Sequence, residues 1–384
     1  MERNRENCTP ASRGSRAVKV TAAILFLVMS LILGALLLMG SGDTRAQAAS
    51  GGSVDLMGQF DMVVGNAVSD SLEGVLSLQK SYWLSDDVLS APRPNPEYAG
   101  TAEDPSSLQW LIDGAEEKLG VTDLLFSTDT EILPDTEIRY YLDDTIVSVS
   151  WKQRVGKCVY SFNEVKVAHP SQFRRFLSGG EYGSGVLYTA TDMANSVNAV
   201  SAASGDYYSY RPGGISVYNG QVCRATAGDY LDTCFIDDKG DLLFAGRGEL
   251  IGREQVEAFV AENNIRFSLA FGPILLRDGE NVLDNGYSLG EINRNFSRAA
   301  LCQQGPLHYI TVTANTGPYL TGTPTMREFA GNLEKLGIRT AYALDGGQTA
   351  TLVANGEIFN NVDYGQQRLI SDIIYFATAI PDGN

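Results

Sequence analysis

The stretch AYALDGGQTATLVANG, Ala341 to Gly356, sets an acid, paired glycines and two threonines between apolar runs. Two readings fit it. In a plain strand–turn–strand hairpin, Asp345 would accept hydrogen bonds from the amides of its own turn. In an active site, Gly346 and Gly347 would let a ligand approach the backbone while Asp345 faces it as base, nucleophile or electrostatic stabiliser. A second carboxylate, Asp206 in SGDYY, could pair with Asp345 or simply close its own turn. His308 follows Gly305-Pro306 at a strand start; it could shuttle a proton near neutrality or serve as a packed core residue. Glu249 in GRGELIG is a third carboxylate candidate.

Metal chemistry finds little to work with. Only two histidines occur, His169 and His308, so a three-histidine zinc site is excluded. DDKGD lacks the spacing and the bidentate glutamate of an EF-hand loop, and no cysteine pair has metal-binding spacing. No metal and no cofactor is expected.

The elements that must position these residues belong to a 384-residue chain with 44% hydrophobic and 20% charged residues, which suits a folded body. Forty glycines against thirteen prolines favour a β-rich protein with many tight turns. The first 45 residues carry six basic residues against three acids, a balance of +3; the formal total is −17, so the remainder carries −20. So acidic a body would repel a nucleic-acid backbone, and no nucleic-acid partner is expected. Oligomeric state is not encoded in any pattern here.

Residues 18–40 are nearly free of charge and approach the length that crosses a bilayer. Basic residues precede them and the acidic bulk follows, which predicts a cytoplasmic N-terminus and an extracellular body. The expected layout is a basic tail over 1–17, a signal anchor over 18–40, a spacer and mixed helical and loop stalk over 41–135, and a domain over 136–384. The alternative is secretion after cleavage near Ala48, where AQA offers small residues. Either route puts Cys158, Cys223, Cys234 and Cys302 where disulfides survive, and Cys223–Cys234 is one candidate pair.

Runs of β-branched and aromatic residues over 137–168 predict strands. Asn219-Gly220 and Lys239-Gly240 predict hairpins. Helices are predicted in SLQWLIDGAEEKLGV, HPSQFRRFLSG, REQVEAFVAENN and TPTMREFAGNLEKLG. The expected class is α+β: a β-rich mixed-sheet domain with packed helices, preceded by the transmembrane helix.

Four segments, in order, carry a family resemblance: SAASGDYYSYRPGGISVYNG, FGPILLRDGE, RAALCQQGPLHYITVTAN and LDGGQTATLVANG, with QQRLISDIIYF trailing. Over roughly 136–384 the chain resembles the phosphodiester glycosidase family, whose N-acetylglucosamine-1-phosphodiester alpha-N-acetylglucosaminidase-like catalytic domains split the bond between an anomeric carbon and a phosphate oxygen. Ser204 stands where the family often has asparagine, Gln348 where it has a third glycine, and Ala350 where it has a hydroxyl. The resemblance implies a hydrolase acting on a carbohydrate-phosphate substrate. It implies Asp345, Asp206 and His308 as catalytic candidates. Arg298, Arg211, Gly205, Gly346, Gly347, Thr349 and Thr351 become substrate-binding candidates, the arginines because a guanidinium fork matches two phosphate oxygens. At alternate positions of a strand, the two threonines would face one way. The departures at Ser204 and Gln348 keep open a non-catalytic envelope-glycan-binding module on the same fold.

Overall fold

The computed structural model describes residue 84 and residues 90–226, 230–284, 286–287, 292–317 and 320–380. The 18–40 stretch lies outside them. Among the described residues, no helix is long and apolar enough to cross a membrane.

The centre is a nine-stranded sheet. In spatial order its strands are Ala99–Ala102, Ile138–Leu142, Ile146–Val155, Cys158–Val167, His308–Asn315, Arg298–Gly305, Thr340–Leu344, Ile274–Arg277 and Glu280–Asn281. Every pairing is antiparallel. The side chains follow the two-residue period of a strand buried on both faces. Ala300, Cys302, Ile310, Val312, Ala341 and Ala343 pack on one side, against helices Gln109–Leu119 and Met326–Lys335. Ala299, Leu301, Tyr309, Tyr342 and Leu344 pack on the other.

That second side is covered by a five-stranded antiparallel sheet, ordered Glu357–Ile358, Leu352–Ala354, Ser201–Ser204, Asp372–Phe376 and Phe173–Leu177. Phe173 joins the layers: its ring stacks on Phe376 at 4.9 Å and meets Tyr309 at 4.6 Å. Helix Ala190–Ser196 closes the outer face of the small sheet. The hairpin Gly214–Tyr218/Gln221–Thr226 and helix Arg253–Glu262 form a separate apolar cluster around Phe235. With four α-helices among the described residues, the fold is α+β.

Several local expectations hold. Asn219 and Gly220 turn their hairpin with φ of 49° and 74°, the left-handed values a two-residue primed turn needs. Helix Met326–Lys335 begins with a capping box between Thr325 and Glu328, and Gly337 follows its end at φ 78°.

Others change. HPSQFRRFLSG is a single 3-10 turn, Pro170–Gln172, followed by the strand Phe173–Leu177. Pairing with Asp372–Phe376 outweighs the local helical pattern. The body also begins well before residue 136: Ala99–Ala102 is the edge strand, and Leu108, Leu111, Ala115 and Phe126 are core residues. Cys234 is a buried free thiol, as are Cys158 and Cys302, so the Cys223–Cys234 bond is not made. Finally, the segment around Asp345 is no hairpin. Thr340–Leu344 lies in the large sheet and Leu352–Ala354 in the small one, so the chain crosses between layers there.

Candidate active site

The crossing is where the site forms. Strands Arg298–Gly305 and Thr340–Leu344 run antiparallel with Ala299 opposite Leu344. Arg298 opens the first strand and Asp345 directly follows the second, so the register sets them side by side at one end of the sheet. By alternation, each belongs to the face of Ala300 and Ala343, the side carrying the helices.

The glycines make the exit from the sheet. A Cβ on Gly346 would lie 2.5 Å from the Ser297 carbonyl oxygen, so the backbone passes only without a side chain. Gly347 adopts φ 60° and donates its N–H to the same carbonyl at 2.7 Å. A Cβ on Gly347 would meet nothing within 4 Å, so this residue presents open backbone. One 3-10 turn, Gly347–Thr349, then carries the chain to the small sheet.

Asp345, Gly346, Gly347 and Gln348 form one wall of a cleft of about 310 Å³. Arg211, Arg298 and Arg368 line it as well, with Tyr207, Phe271 and Phe296 beside them. Each guanidinium is held. Arg298 donates to the Arg294 carbonyl at 2.6 Å and lies over Phe296 at 5.6 Å. Arg211 donates to the Phe271 carbonyl at 3.1 Å and lies over that ring at 5.0 Å. Arg368 lies over Tyr210 at 5.0 Å and Tyr207 at 5.8 Å. Three cations and one carboxylate line a cleft in an otherwise strongly acidic chain. The local field therefore favours an anion.

Asp345 is half-buried, and burial pushes its carboxyl up to about 6, helped by nearby Asp206 and opposed by the Thr349 hydroxyl, Arg368 and Arg211. A carboxyl poised there changes protonation state close to neutrality, as a catalytic acid or base must.

The phosphodiester glycosidase family model matches residues 195–377, a stretch containing Asp206, Arg211, Arg298, Asp345 and Arg368. Over residues 195–377 the chain is similar to phosphodiester glycosidase domains. Among solved structures, the zebrafish N-acetylglucosamine-1-phosphodiester alpha-N-acetylglucosaminidase catalytic domain, auto-inhibited by its pro-peptide, is similar at 18% identity and a TM-score of 0.51; the match covers 61% of this chain and 83% of that one. That likeness is one of fold. A hypothetical protein from Synechocystis matches at 14% identity and a TM-score of 0.48, over 65% of this chain and 64% of that one. No curated protein sequence matches.

Within the matched stretch, Asp206 is not a second cleft carboxylate. It is buried in an ion network one layer down, where Arg175 Nη2 lies 3.0 Å from Asp206 Oδ1 and 2.8 Å from Asp372 Oδ2. Its oxygens also accept from the backbone N–H groups of Tyr208 and Ala270, both at 2.8 Å. Gly205 is required by this network, since a Cβ there would lie 2.1 Å from Asp372 Oδ2. One guanidinium faces two carboxylates, so burial and the neighbouring Asp206 push Asp372 upward against the pull of Arg175.

His308 is far from the cleft. Along its hairpin, Arg298 pairs with Ala314 while His308 pairs with Gly305 at the turn, a separation of roughly 20 Å at the usual strand rise. Its Nε2 lies 2.8 Å from Glu164, whose carboxylate accepts from the N–H groups of Leu125 and Phe126. His308 thus belongs to a clip holding the 124–126 segment. Glu249 caps its own turn by accepting from Gly246 N–H.

The two threonines do not share a strand face, because the 3-10 turn ends at Thr349 and the strand begins only at Leu352. Thr349 stays beside Asp345, whereas Thr351 is buried against Ser204. Arg368 was not among the residues singled out from the sequence. Its only signal there is membership of the trailing QQRLISDIIYF segment, since no local motif distinguishes it.

Proposed function

We propose that this protein hydrolyses the glycosidic bond of sugar-1-phosphodiesters. The observation that carries the reading is a poised Asp345 facing a cleft lined by three guanidinium groups. An ordinary glycosidase needs a general acid because an alkoxide leaves badly. A phosphomonoester leaves far more easily, its second pKa being about 6. One cleft carboxylate together with cations therefore suffices.

In this mechanism, Arg211, Arg298 and Arg368 bind the diester and stabilise the second negative charge that appears as the anomeric carbon–oxygen bond breaks. Ionised Asp345 stabilises the positive charge developing on the sugar and takes a proton from the attacking water. The water oxygen bonds to the anomeric carbon, and the phosphomonoester departs as the dianion. The products are free sugar and a phosphomonoester of the aglycone. The open backbone at Gly347 and the Gln348 amide supply polar groups for sugar hydroxyls.

We place the domain outside the cell, tethered by residues 18–40, with envelope polymers or environmental glycoconjugates as substrates. The apolar stretch and its flanking charges support that topology. The test incubates the purified full-length protein with a panel of nucleotide-sugars and glycosyl phosphodiesters and assays released sugar. Saturable binding without turnover across the panel would instead assign a glycan-binding module.

A further inference from the structure

Two of the three cleft arginines share one aromatic ring. Arg211 lies over Tyr207 with its guanidinium carbon 5.8 Å from the ring centroid, and Arg368 lies over the same ring at 5.8 Å. They reach it from distant parts of the chain. Arg211 arrives through a tight turn in which its own N–H and that of Tyr210 both donate to the Tyr207 carbonyl at 3.1 Å. Arg368 comes from the segment leading into the strand Asp372–Phe376. Each guanidinium has a second ring of its own, Phe271 at 5.0 Å for Arg211 and Tyr210 at 5.0 Å for Arg368. Tyr207 and Tyr210 are themselves stacked, with centroids 4.8 Å apart and planes inclined by 20°.

Two like charges in one cleft repel, and the repulsion is largest when no anion lies between them. A ring quadrupole attracts cations. A ring within reach of two guanidinium groups attracts both without neutralising either, unlike a carboxylate in the same place, and the Tyr207 hydroxyl adds a hydrogen bond with Arg368.

We propose that Tyr207 is a positioning residue whose ring fixes Arg211 and Arg368 as a preorganised pair for the phosphate of the substrate. The proposal rests on the reading of the cleft as a phosphate-binding hydrolase site, but it concerns anion binding rather than bond cleavage.

The test measures inorganic phosphate binding to the full-length wild type, Tyr207→Phe and Tyr207→Leu by titration calorimetry, with circular dichroism and melting temperature as folding controls. Phenylalanine keeps the ring face and removes the hydroxyl; leucine removes the face. Loss of two contacts of this kind should weaken phosphate binding roughly 5- to 30-fold in Tyr207→Leu, while Tyr207→Phe, which loses only the hydroxyl's hydrogen bond with Arg368, should lose clearly less. In turnover, Tyr207→Leu should raise KM and lower kcat as well, because the same pair holds the diester and stabilises the charge that grows on its phosphate as the bond breaks. Wild-type phosphate affinity in Tyr207→Leu would overturn the proposal, as would equal losses in both variants, which would assign the effect to the hydroxyl. A wild type that binds no phosphate would overturn it too. Ring-dependent phosphate binding with no turnover of any phosphodiester would support it while contradicting the hydrolase reading.

Discussion

Arg298 and Asp345 are neighbours because Ala299 is paired with Leu344. The partnership is fixed by strand register, so a cleft cation and the cleft carboxylate are held by the sheet rather than by flexible loops. Gly346, pressed against the Ser297 carbonyl, ties the turn after Asp345 to the residue before Arg298.

The elevated carboxyl of Asp345 makes stability depend on pH. Its folded value of about 6 exceeds the ordinary 3.8, so between those values the folded chain keeps a proton that the unfolded chain releases. The stabilising contribution is complete below about pH 4 and lost as pH rises through about 6. Asp345→Asn cannot ionise and should exceed wild type by on the order of 1–3 kcal/mol near neutral pH. Urea melts across pH check this, and the gap should close towards pH 4.

The same group should shape the activity profile. Because Asp345 works ionised, kcat/KM should fall on the acid side with a bend near 6. A rate that instead climbs as pH drops below that point would make Asp345 a proton donor.

His308 should matter to folding and not to turnover. His308→Phe removes the ring nitrogen facing Glu164 and leaves the cleft untouched. Stability should drop by about 1–3 kcal/mol, with kcat/KM within about twofold of wild type. A large loss of turnover in a folded variant would restore His308 to the site.

The Arg175 network should be a stability device. Arg175→Met leaves Asp206 and Asp372 buried together without their cation, and breaking a buried pair in this way costs about 3–5 kcal/mol. Chemical denaturation measures it, and a melt unchanged from wild type would contradict the assignment.

The sequence exposed what depends on local chemistry. The Asn219-Gly220 turn and the helix in TPTMREFAGNLEKLG are written in consecutive residues, and each is found; Asp345 and its glycines are equally local, and they line the cleft. What depends on register or on chain return was hidden. His308 opens a strand like a site residue, yet the hairpin turn carries it away from Arg298. Asp206 precedes tyrosines in a promising turn, yet Arg175, read there as part of a helix, draws it into the interior. Phe173–Leu177 fits either period, and only its partner strand decides. Arg368 becomes a cleft residue solely because the chain passes back beside Tyr207 before entering the small sheet.

The central claim is that Asp345 performs glycosidic hydrolysis in a phosphate-binding cleft. The most direct measurement compares wild type with Asp345→Asn on a responsive glycosyl phosphodiester, identifying products by mass spectrometry and following kcat. The account requires free sugar plus a phosphomonoester from wild type, and a loss of about 10²–10⁴ in kcat for the folded Asn variant. Release of sugar-1-phosphate, or wild-type kcat in Asp345→Asn, would contradict it.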